Sequence, residues 1–465
     1  MEYQMDIVER LTENIVNARY ARIPSEAIEV EKRDVLDVLG TLVAGATAPG
    51  CKAIMELARE EEGKEEGTIM MYGIKVPALN AALVNATMAR AIDFEACGAG
   101  PCHASAAAVA TAFAVGEKLG GVSGKDFLAA LVIGIDLTTR LYSSYKAHKY
   151  GWDPALVCTI FGTTAVAGRL MGLDYSQMTN ALGIALNQAS GTWQSNYDGA
   201  LMVRLNTGLA ARGGLFSALL AQRGITGVRQ VMQGRWGFYN LYARDEYDPG
   251  RLIEGLGEKY LNVQTPFKMY PSCYGTHTVT EATIELARKH DISPEDVVEI
   301  ILCVARGESD RFCGRPYQMA DNPQVYAQFS NQYAAANALL RRSSVKEHFT
   351  DEFIADPRVQ ELIGKVRQVE IFQPRKEGIP PVRVEIRMKD GKRYSMELQY
   401  PMGFPERPLS KEMIVKKFRD NVAYSARTSK VLATEKGEAI VALVEHLEDL
   451  DNVNRIVEAV AAEVS

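Results

Sequence analysis

The chain has 465 residues, of which 47% are hydrophobic and 24% are charged, a balance typical of a globular protein with a large core. This length is enough for two domains. The net charge of −6 gives no general attraction to nucleic acid or to a membrane surface, so a site for an anionic ligand has to be a local cluster of basic residues.

The cysteines and the amino terminus indicate the compartment. There are seven cysteines, an odd number, and no two of them have CxxC spacing, which predicts reduced thiols. Residues 1–10 carry charges and lack the apolar centre of a signal peptide. No apolar run reaches the roughly 18 residues that a membrane span requires. We therefore expect a cytoplasmic protein without a membrane segment.

The first 240 or so residues have patterns that predict helices almost throughout. Residues 162–168, 180–186 and 208–220 are rich in glycine, alanine and other apolar residues, and they are too apolar for surface helices. We expect these segments to lie centrally and to pack closely through their small side chains. The glycines between 208 and 214 follow no predicted strand, which argues against a dinucleotide-binding loop.

Within this region a carboxylate and an imidazole flank a Gly-Pro loop. Asp93 ends the helical run 81–92, and His103 precedes the run 106–119. The loop can thus hold a base and its partner a short distance apart without distorting either helix. The alternative is that both residues only cap their helices.

Two later segments are also rich in hydrogen-bonding side chains. Tyr145 and His148 belong to a polar aromatic stretch that suits either a pocket wall or the packing of a helix end. Residues 193–198 follow a glycine and carry polar groups suited to substrate contact. Both segments stay open between a binding role and a structural one.

Residues 267–277 form the densest set of reactive groups, with cationic, hydroxyl, thiol and imidazole side chains in eleven positions. Pro271 fixes its own φ, and the apolar period of a helix follows from about Thr278. His277 is therefore expected at a helix start, where the positive end of the helix favours a carboxylate or a developing enolate, and Lys268 adds positive charge. The alternative is a turn between domains in which His277 caps the helix.

Beyond this segment the pattern changes to a mixture of strands and helices. Strands are predicted at 297–304, 366–372 and 382–387, and the turn Asp390-Gly391 leads into a further strand at 393–398, which forms a hairpin. Residues 410–464 return to a helical period and are expected to rejoin the first domain. The predicted class is mainly α with an α+β part.

Four motifs, in this order, resemble the MmgE/PrpD family. They are residues 92–95 with His103, residues 267–273 with His277, residues 329–334, and residues 403–410. The resemblance implies a large all-helical domain built from residues 1–266 and 405–465, with a smaller α+β lid domain of residues 267–404. It also implies a homodimer, a small polycarboxylate as substrate, and neither a cofactor nor a metal.

The resemblance further implies an active site between the two domains. It maps functional positions onto Asp93, His103, Lys268, Tyr270 and His277. A proton is removed α to a carboxylate, and His103 and His277 are expected to act as the acid–base pair, with Asp93 orienting one of them. Substrate contacts are expected from Lys268 and Tyr270, and also from Arg204 and Tyr145.

The chain departs from the family pattern at several positions. Many members have a histidine before a proline in the region of Trp152. The decarboxylase and methylcitrate branches have a lysine and a histidine in the segment where this chain has Val203 and Asn206, and often threonine where it has Cys97. Arg204 offers a replacement cation and makes the epimerase-like branch the better match. Returning the proton on the opposite face gives epimerisation, whereas loss of a β-hydroxyl, with Tyr270, Tyr145 or His148 as donor, gives dehydration.

The residues leave several other functions open. A decarboxylase and a ligand-binding protein without catalytic activity are both compatible with the resemblance. A zinc hydrolase would use Asp93, His103 and His277, although no metal-binding spacing supports it. A cysteine nucleophile enzyme would pair Cys273 with His277, but Pro271 and a glycine at 275 are expected to break the helix that this pairing needs.

Overall fold

The computed structural model describes residues 6–98, 100, 102–145, 150–244, 246–375 and 378–461. Helices account for most of the regular structure, and one two-stranded and one four-stranded sheet occur within these ranges. The predicted class, mainly α with an α+β part, is confirmed.

Up to residue 266, the described part of the chain is mostly a succession of helices that share one hydrophobic core. In chain order the helices are α1 (Ile7–Asn17), α2 (Ser25–Gly45), α3 (Cys51–Glu60), α4 (Ala78–Arg90), α5 (Ala104–Lys118), α6 (Gly124–Ser143), α7 (Pro154–Val157), α8 (Thr159–Leu170), α9 (Tyr175–Leu186), α10 (Gln194–Tyr197), α11 (Met202–Gln222) and α12 (Pro249–Ile253). Helices α18 (Lys411–Ser425), α19 (Thr434–Glu445) and α20 (Asn454–Val460) return to the same core from the other end of the chain, as predicted.

The central helices approach one another through glycines. Where α6 meets α8, a methyl group added at Gly162 would lie 2.0 Å from Thr138 Oγ1 and 2.4 Å from the Gly134 carbonyl oxygen. Two backbones therefore pass at a distance that no larger residue permits. This contact bears out the close packing predicted for residues 162–168.

We expect Gly162→Ala to lower the free energy of unfolding by about 1–3 kcal/mol, because overpacking a dense core displaces backbone. Gly116→Ala on α5 is the matched control, since the nearest atoms to its added methyl are side-chain atoms at 3.3 Å or more. Urea denaturation followed by circular dichroism measures both variants. Equal stability of Gly162→Ala and wild type would contradict the close contact.

A short hairpin interrupts this helical region. Strand β1 (Gly67–Ile69) pairs antiparallel with β2 (Ile74–Val76), and Gly73 in the turn has a φ of 65°. This hairpin is an exception to the helices predicted almost throughout the region. Strands of three residues are too short for alternation of apolar and polar side chains to become visible.

The segment from residue 274 to 398 builds a second hydrophobic core. Its helices are α13 (Tyr274–Lys289), α14 (Pro323–Gln328), α15 (Asn331–Arg341), α16 (Asp351–Ile354) and α17 (Pro357–Ile363). Its strands are β3 (Val297–Ala305), β4 (Val366–Phe372), β5 (Val382–Met388) and β6 (Arg393–Leu398). All four predicted strands are confirmed, including the hairpin of β5 and β6.

The four-stranded sheet has the order β4-β3-β5-β6, with β3 and β4 parallel and the other pairs antiparallel. Alternate side chains of β5, namely Val382, Val384 and Ile386, are buried and turn one face of the sheet toward the helices. The division of the chain into domains at residues 267 and 404 stays a prediction. Among the described residues, no helix combines the length and the apolar character needed to cross a bilayer.

Candidate active site

The loop that joins α4 to α5 carries two residues with left-handed backbone. Asp93 has a φ of 50°, and His103, which caps α5, has a φ of 53°. Residues with a β-carbon adopt this conformation only when their surroundings hold them there. Both side chains are buried, with 1% and 8% of their surface exposed. The loop therefore presents Asp93 and His103 in fixed positions.

Asp93 accepts hydrogen bonds from two buried cationic side chains. Its Oδ1 accepts hydrogen bonds from Arg90 Nη1 at 2.7 Å and from Lys268 Nζ, and its carbonyl oxygen accepts a second bond from Lys268 Nζ at 2.9 Å. Burial would raise the pKa of the carboxyl, but Arg90 and Lys268 hold that pKa well below its usual range. Asp93 is thus an anion at neutral pH. Its Oδ2 has no hydrogen-bond partner among the described residues.

The predicted contact between Asp93 and a histidine is absent from the hydrogen bonds and ion pairs of the described residues, and Glu95 takes its place. Glu95 Oε1 lies 2.5 Å from His103 Nδ1 and 3.5 Å from Arg90 Nε. The Cys97 thiol lies 3.5 Å from the same imidazole nitrogen. Asp93 cannot turn toward His103 because its carboxylate is fixed by Arg90 and Lys268.

The protonation of this carboxylate–imidazole pair follows from its burial. Burial, together with Arg90 and Lys268, lowers the pKa of His103 well below its usual range. Burial raises the pKa of Glu95 to about 7 against the opposing effect of Arg90. Near neutral pH the imidazole is therefore uncharged. When Glu95 is ionised, His103 donates Nδ1–H to it and its Nε2 keeps a free lone pair.

His277 lies in the first turn of α13 and is fully buried. Its Nε2 is 3.2 Å from the Ser272 carbonyl oxygen, which only accepts, so Nε2 carries the hydrogen and Nδ1 the lone pair. Nδ1 has no partner in the part of the chain that the structure describes. Burial and the nearby Lys268 lower the pKa of His277 to about 3. This residue is therefore also neutral.

Helix α13 begins earlier than the sequence predicted. It starts at Tyr274 and includes Gly275, with Cys273 as its cap, so the expected break at Gly275 was wrong. The cap is an extended residue, and Pro271 lies outside the helix and does not disturb it. His277 Nε2 bonds to the Ser272 carbonyl, and no hydrogen bond among the described residues joins His277 to the Cys273 thiol. This geometry gives the cysteine-nucleophile hypothesis no support.

Lys268 connects the two parts of the site. Its ammonium is 1% exposed, bonds to Asp93, and lies 5.4 Å from the centre of the Tyr274 ring. Its charge and that of Asp93 act on both His103 and His277. Asp93, His103, Lys268 and His277 are therefore neighbours in space, although they come from two distant segments.

Arg204 is a buried cation without a carboxylate partner among the described residues. It is 2% exposed, and its Nη1 donates to the Pro49 carbonyl at 3.0 Å and to Gln324 Oε1 at 3.3 Å. Burial lowers its pKa to about 10. A guanidinium held among neutral acceptors has an unmet preference for an anion.

The two predicted tyrosines lie in different surroundings. Tyr270 packs with Ile284 and Ala338, and its ring meets the edge of His277 at 5.3 Å between centroids. The Tyr145 hydroxyl lies 3.2 Å from Cys158 Sγ, and its ring packs against Phe238. Neither hydroxyl bonds to the other predicted residues that the structure describes, and their substrate roles stay predictions. His148 lies outside the described residues.

The positions that differ from the family pattern have structural contacts here. Asn206 Nδ2 donates to Asp153 Oδ2 at 2.7 Å, and Asp153 caps α7 through the Ala155 amide at 2.9 Å. Val203 belongs to a small apolar cluster with Phe329. Val203 and Asn206 therefore stabilise the first turns of α11, and Arg204 supplies a cation in the same turns.

The carboxylates of Asp93 and Glu95 and the His103 imidazole offer donor atoms within 4.8 Å of one another, a spacing that a metal ion can use. Arg90 and Lys268 already balance the two carboxylates, and Asp93 Oδ1 accepts from both cations. A divalent ion would have to compete with these positive charges. His277, which the zinc hypothesis requires, is not one of this group.

Sequence reasoning missed Arg90 and the role of Glu95. Arg90 closes α4, is 3% exposed, and contacts both Asp93 and Glu95. Its position three residues before Asp93 is the helical spacing of an ion pair, which was an available signal. Glu95 stands in the motif that carried the resemblance, but its contact depends on the positive φ values of the loop.

Comparison with known proteins extends over nearly the whole chain. Residues 9–249 match the MmgE/PrpD N-terminal domain, and residues 270–456 match the MmgE/PrpD C-terminal domain. The cis-aconitate decarboxylase of Homo sapiens is 28% identical over 467 residues, covering 96% of this chain and 92% of that protein. The cis-aconitate decarboxylase of Aspergillus terreus is 26% identical over 423 residues, covering 85% of each. The 2-methylcitrate dehydratase of Cupriavidus necator is 24% identical over 454 residues, covering 90% of this chain and 89% of that protein.

Proposed function

The chain belongs to the MmgE/PrpD family, and on that basis we propose that it is an enzyme that removes the proton α to a carboxylate of a small di- or tricarboxylate. The relatives named above are lyases that act on such acids, which supports this class of substrate. The reaction uses side chains alone, with no cofactor.

The contact between Glu95 and His103 carries the proposal. A carboxylate on Nδ1 fixes the tautomer that leaves Nε2 as a base, and it stabilises the imidazolium that forms when the substrate proton is taken. His277 has only a carbonyl on its Nε2 and gains no such stabilisation. We therefore assign His103 as the base and His277 as a neutral acceptor at the edge of the site.

Removing an α-proton places negative charge on the substrate carboxylate, which already carries one charge. The site has to stabilise this enolate-like dianion with aimed cations. Arg204 suits this role best, because it is buried and its hydrogen-bond partners among the described residues are neutral oxygens. Lys268 and Arg90 are engaged by Asp93, so they contribute a positive field more than a direct clamp.

Dehydration is the outcome that we favour over epimerisation. Epimerisation by two bases needs one of them protonated before each turnover, and both imidazoles are neutral at pH 7. Elimination of a β-hydroxyl needs one base and a neutral donor. Epimerisation is the second candidate, which the unpartnered and buried Nδ1 of His277 supports, since it offers a second acceptor for a proton.

Decarboxylation of the kind named for the relatives places different demands on the site. Carbon dioxide leaves first, and a proton then has to be delivered to carbon. Neutral imidazoles with lowered pKa values are poor donors for that step. We therefore rank decarboxylation below the two reactions that begin with a base.

A panel of substrates followed by proton NMR in deuterium oxide tests the proposed function. Hydroxylated and unsaturated di- and tricarboxylates are incubated with enzyme, and the α-hydrogen and the products are observed together. Dehydration is supported if an acid loses water and if the reverse reaction places deuterium at the α-carbon. Epimerisation is supported if the α-carbon inverts and gains deuterium. Release of carbon dioxide without α-exchange, or no change in any acid of the panel, would overturn the proposal.

Arg204→Met should raise KM about 10- to 100-fold with a smaller change in kcat, because a charge-assisted bond to a carboxylate contributes ~1.5–3 kcal/mol. Arg204→Lys should recover part of the loss, since it keeps the charge but not the fork of the guanidinium. Steady-state kinetics measures both variants. Arg212→Met, an exposed position on the same helix, is the matched control. An unchanged KM in Arg204→Met would remove Arg204 from substrate binding.

A further inference from the structure

The backbone of residues 93–96 is held by buried charged side chains from three distant segments. Lys268 Nζ donates to the Asp93 carbonyl at 2.9 Å, and Lys417 Nζ donates to the Phe94 carbonyl at 2.6 Å. The Ala96 amide donates to Asp37 Oδ2 at 2.8 Å. Three anchors, at residues 93, 94 and 96, therefore hold the backbone that carries the Asp93 and Glu95 side chains.

Asp37 and Lys417 also form an ion pair with each other. Lys417 Nζ lies 2.7 Å from Asp37 Oδ1. Both residues are buried, with 7% of Lys417 and 2% of Asp37 exposed. The ammonium lies 3.9 Å from the centre of the Phe94 ring. Two charges taken out of water are stabilised only by near-complete pairing, so the pair and its backbone contacts depend on one another.

Helix α2, which carries Asp37, also reaches the other end of the loop between α4 and α5. Ser105 Oγ lies 2.5 Å from Asp34 Oδ2, one helical turn before Asp37 on α2. Ser105 is in the first turn of α5, two residues after the His103 cap. Helix α2 thus contacts the chain on both sides of the Glu95–His103 pair.

We propose that Asp37 and Lys417 are positioning residues for the proposed reaction, and that they hold the 93–96 backbone so that Glu95 meets His103. They do not touch the substrate and act through the loop. The inference rests on the proposed function for its kinetic test. Its structural part, the restraint of residues 93–96, is independent of any substrate.

Both residues also place charge near Glu95. The titratable and charged groups that face Glu95 from the packed elements are Arg90, Asp93, Cys97, His103, Lys268, Tyr274, Asp34, Asp37 and Lys417. The positive Lys417 favours the ionised carboxylate of Glu95, and the negative Asp37 opposes it. Removal of one charge should therefore move the ionisation of Glu95 in one direction, and removal of the other in the opposite direction.

Lys417→Met should lower kcat at least 30-fold with KM within threefold of wild type, and it should move the acid limb of the kcat/KM profile to higher pH. Lys417→Arg should restore most of kcat, because it keeps the charge and a donor for the Phe94 carbonyl. Lys416→Met is the matched control, because Lys416 is the adjacent lysine on the same helix and its ammonium pairs with Asp420 at the surface. Wild-type kinetics in Lys417→Met would overturn the proposal.

Asp37→Asn should move the acid limb to lower pH, and the double variant Asp37→Asn with Lys417→Met should return it toward the wild-type position. A merely structural role would lower activity without these opposite shifts. If the acid limbs of the two single variants shift in the same direction, or do not shift, the proposed effect of the Asp37 and Lys417 charges on Glu95 is overturned. The double variant removes both buried charges and protects the test against misfolding of a single variant.

Hydrogen–deuterium exchange with mass spectrometry provides the readout without substrate. The peptide that contains residues 93–98 should exchange at least tenfold faster in Lys417→Met than in wild type or Lys416→Met. Unchanged exchange would overturn the positioning role. Faster exchange in an enzyme that acts on no acid of the panel would leave the restraint established and place the failure in the proposed function.

Discussion

His103→Gln is expected to lower kcat by about 10³-fold, within the range of 10² to 10⁴ for loss of a positioned general base. Glutamine approximates the size of the imidazole and can still bond to Glu95, so folding should be retained. KM should change little, because the imidazole acts on the α-proton and not on the carboxylates. Steady-state kinetics and circular dichroism measure the two properties on the same preparation.

Chemical rescue makes this prediction specific. His103→Ala leaves a space beside Glu95, and added imidazole should restore part of kcat in proportion to its unprotonated fraction. His446→Gln serves as the control, because that histidine is exposed on the surface. If kcat stays at the wild-type value in His103→Gln, the proton is removed by another group.

Glu95→Gln is expected to lower kcat by about 10²- to 10⁴-fold, the range for general base catalysis, with about 10⁴-fold known for an amide in place of the carboxylate behind a catalytic imidazole. The amide can donate its own N–H to Nδ1, which moves the imidazole hydrogen to Nε2 and removes the lone pair from the reacting nitrogen. The loss should therefore fall on kcat at every pH.

The wild-type pH profile should also depend on which nitrogen of His103 carries the hydrogen. The pKa of Glu95 is raised to about 7, so the carboxyl is protonated below that pH and ionised above it. A protonated Glu95 donates to Nδ1 and places the imidazole hydrogen on Nε2, so kcat/KM should fall tenfold per pH unit below about 7. This apparent value belongs to the Glu95–His103 pair. Glu95→Gln should lack this limb, and an acid limb that persists unchanged in the variant would assign it to another group.

The family and the class of fold could be predicted from the sequence, and so could residues that the structure places near one another. The comparison confirms the family, and the structure brings Asp93, His103, Lys268 and His277 together as the motifs implied. These residues could be identified from the sequence because each stands in a short local pattern, either a loop between helices or a turn before a helix. Their catalytic roles stay proposals that the variants above test.

The pairing within the site could not be predicted, because it depends on backbone conformation. Asp93 and Glu95 are two residues apart, and a left-handed φ at Asp93 and at His103 decides which carboxylate meets the imidazole. Lys417 is separated from Phe94 by 323 positions, and no local pattern connects a lysine on an amphipathic helix with a distant carbonyl. Contacts of this kind arise only from tertiary packing.

The most direct measurement of the central claim is the exchange of the substrate α-hydrogen with solvent, followed by NMR in deuterium oxide at pH 7.5. Wild-type enzyme should introduce deuterium at the α-carbon, and His103→Gln should reduce that rate about 10³-fold while calorimetry shows that it still binds the acid. Exchange at the wild-type rate in His103→Gln would contradict the assignment of the Glu95–His103 pair as the base.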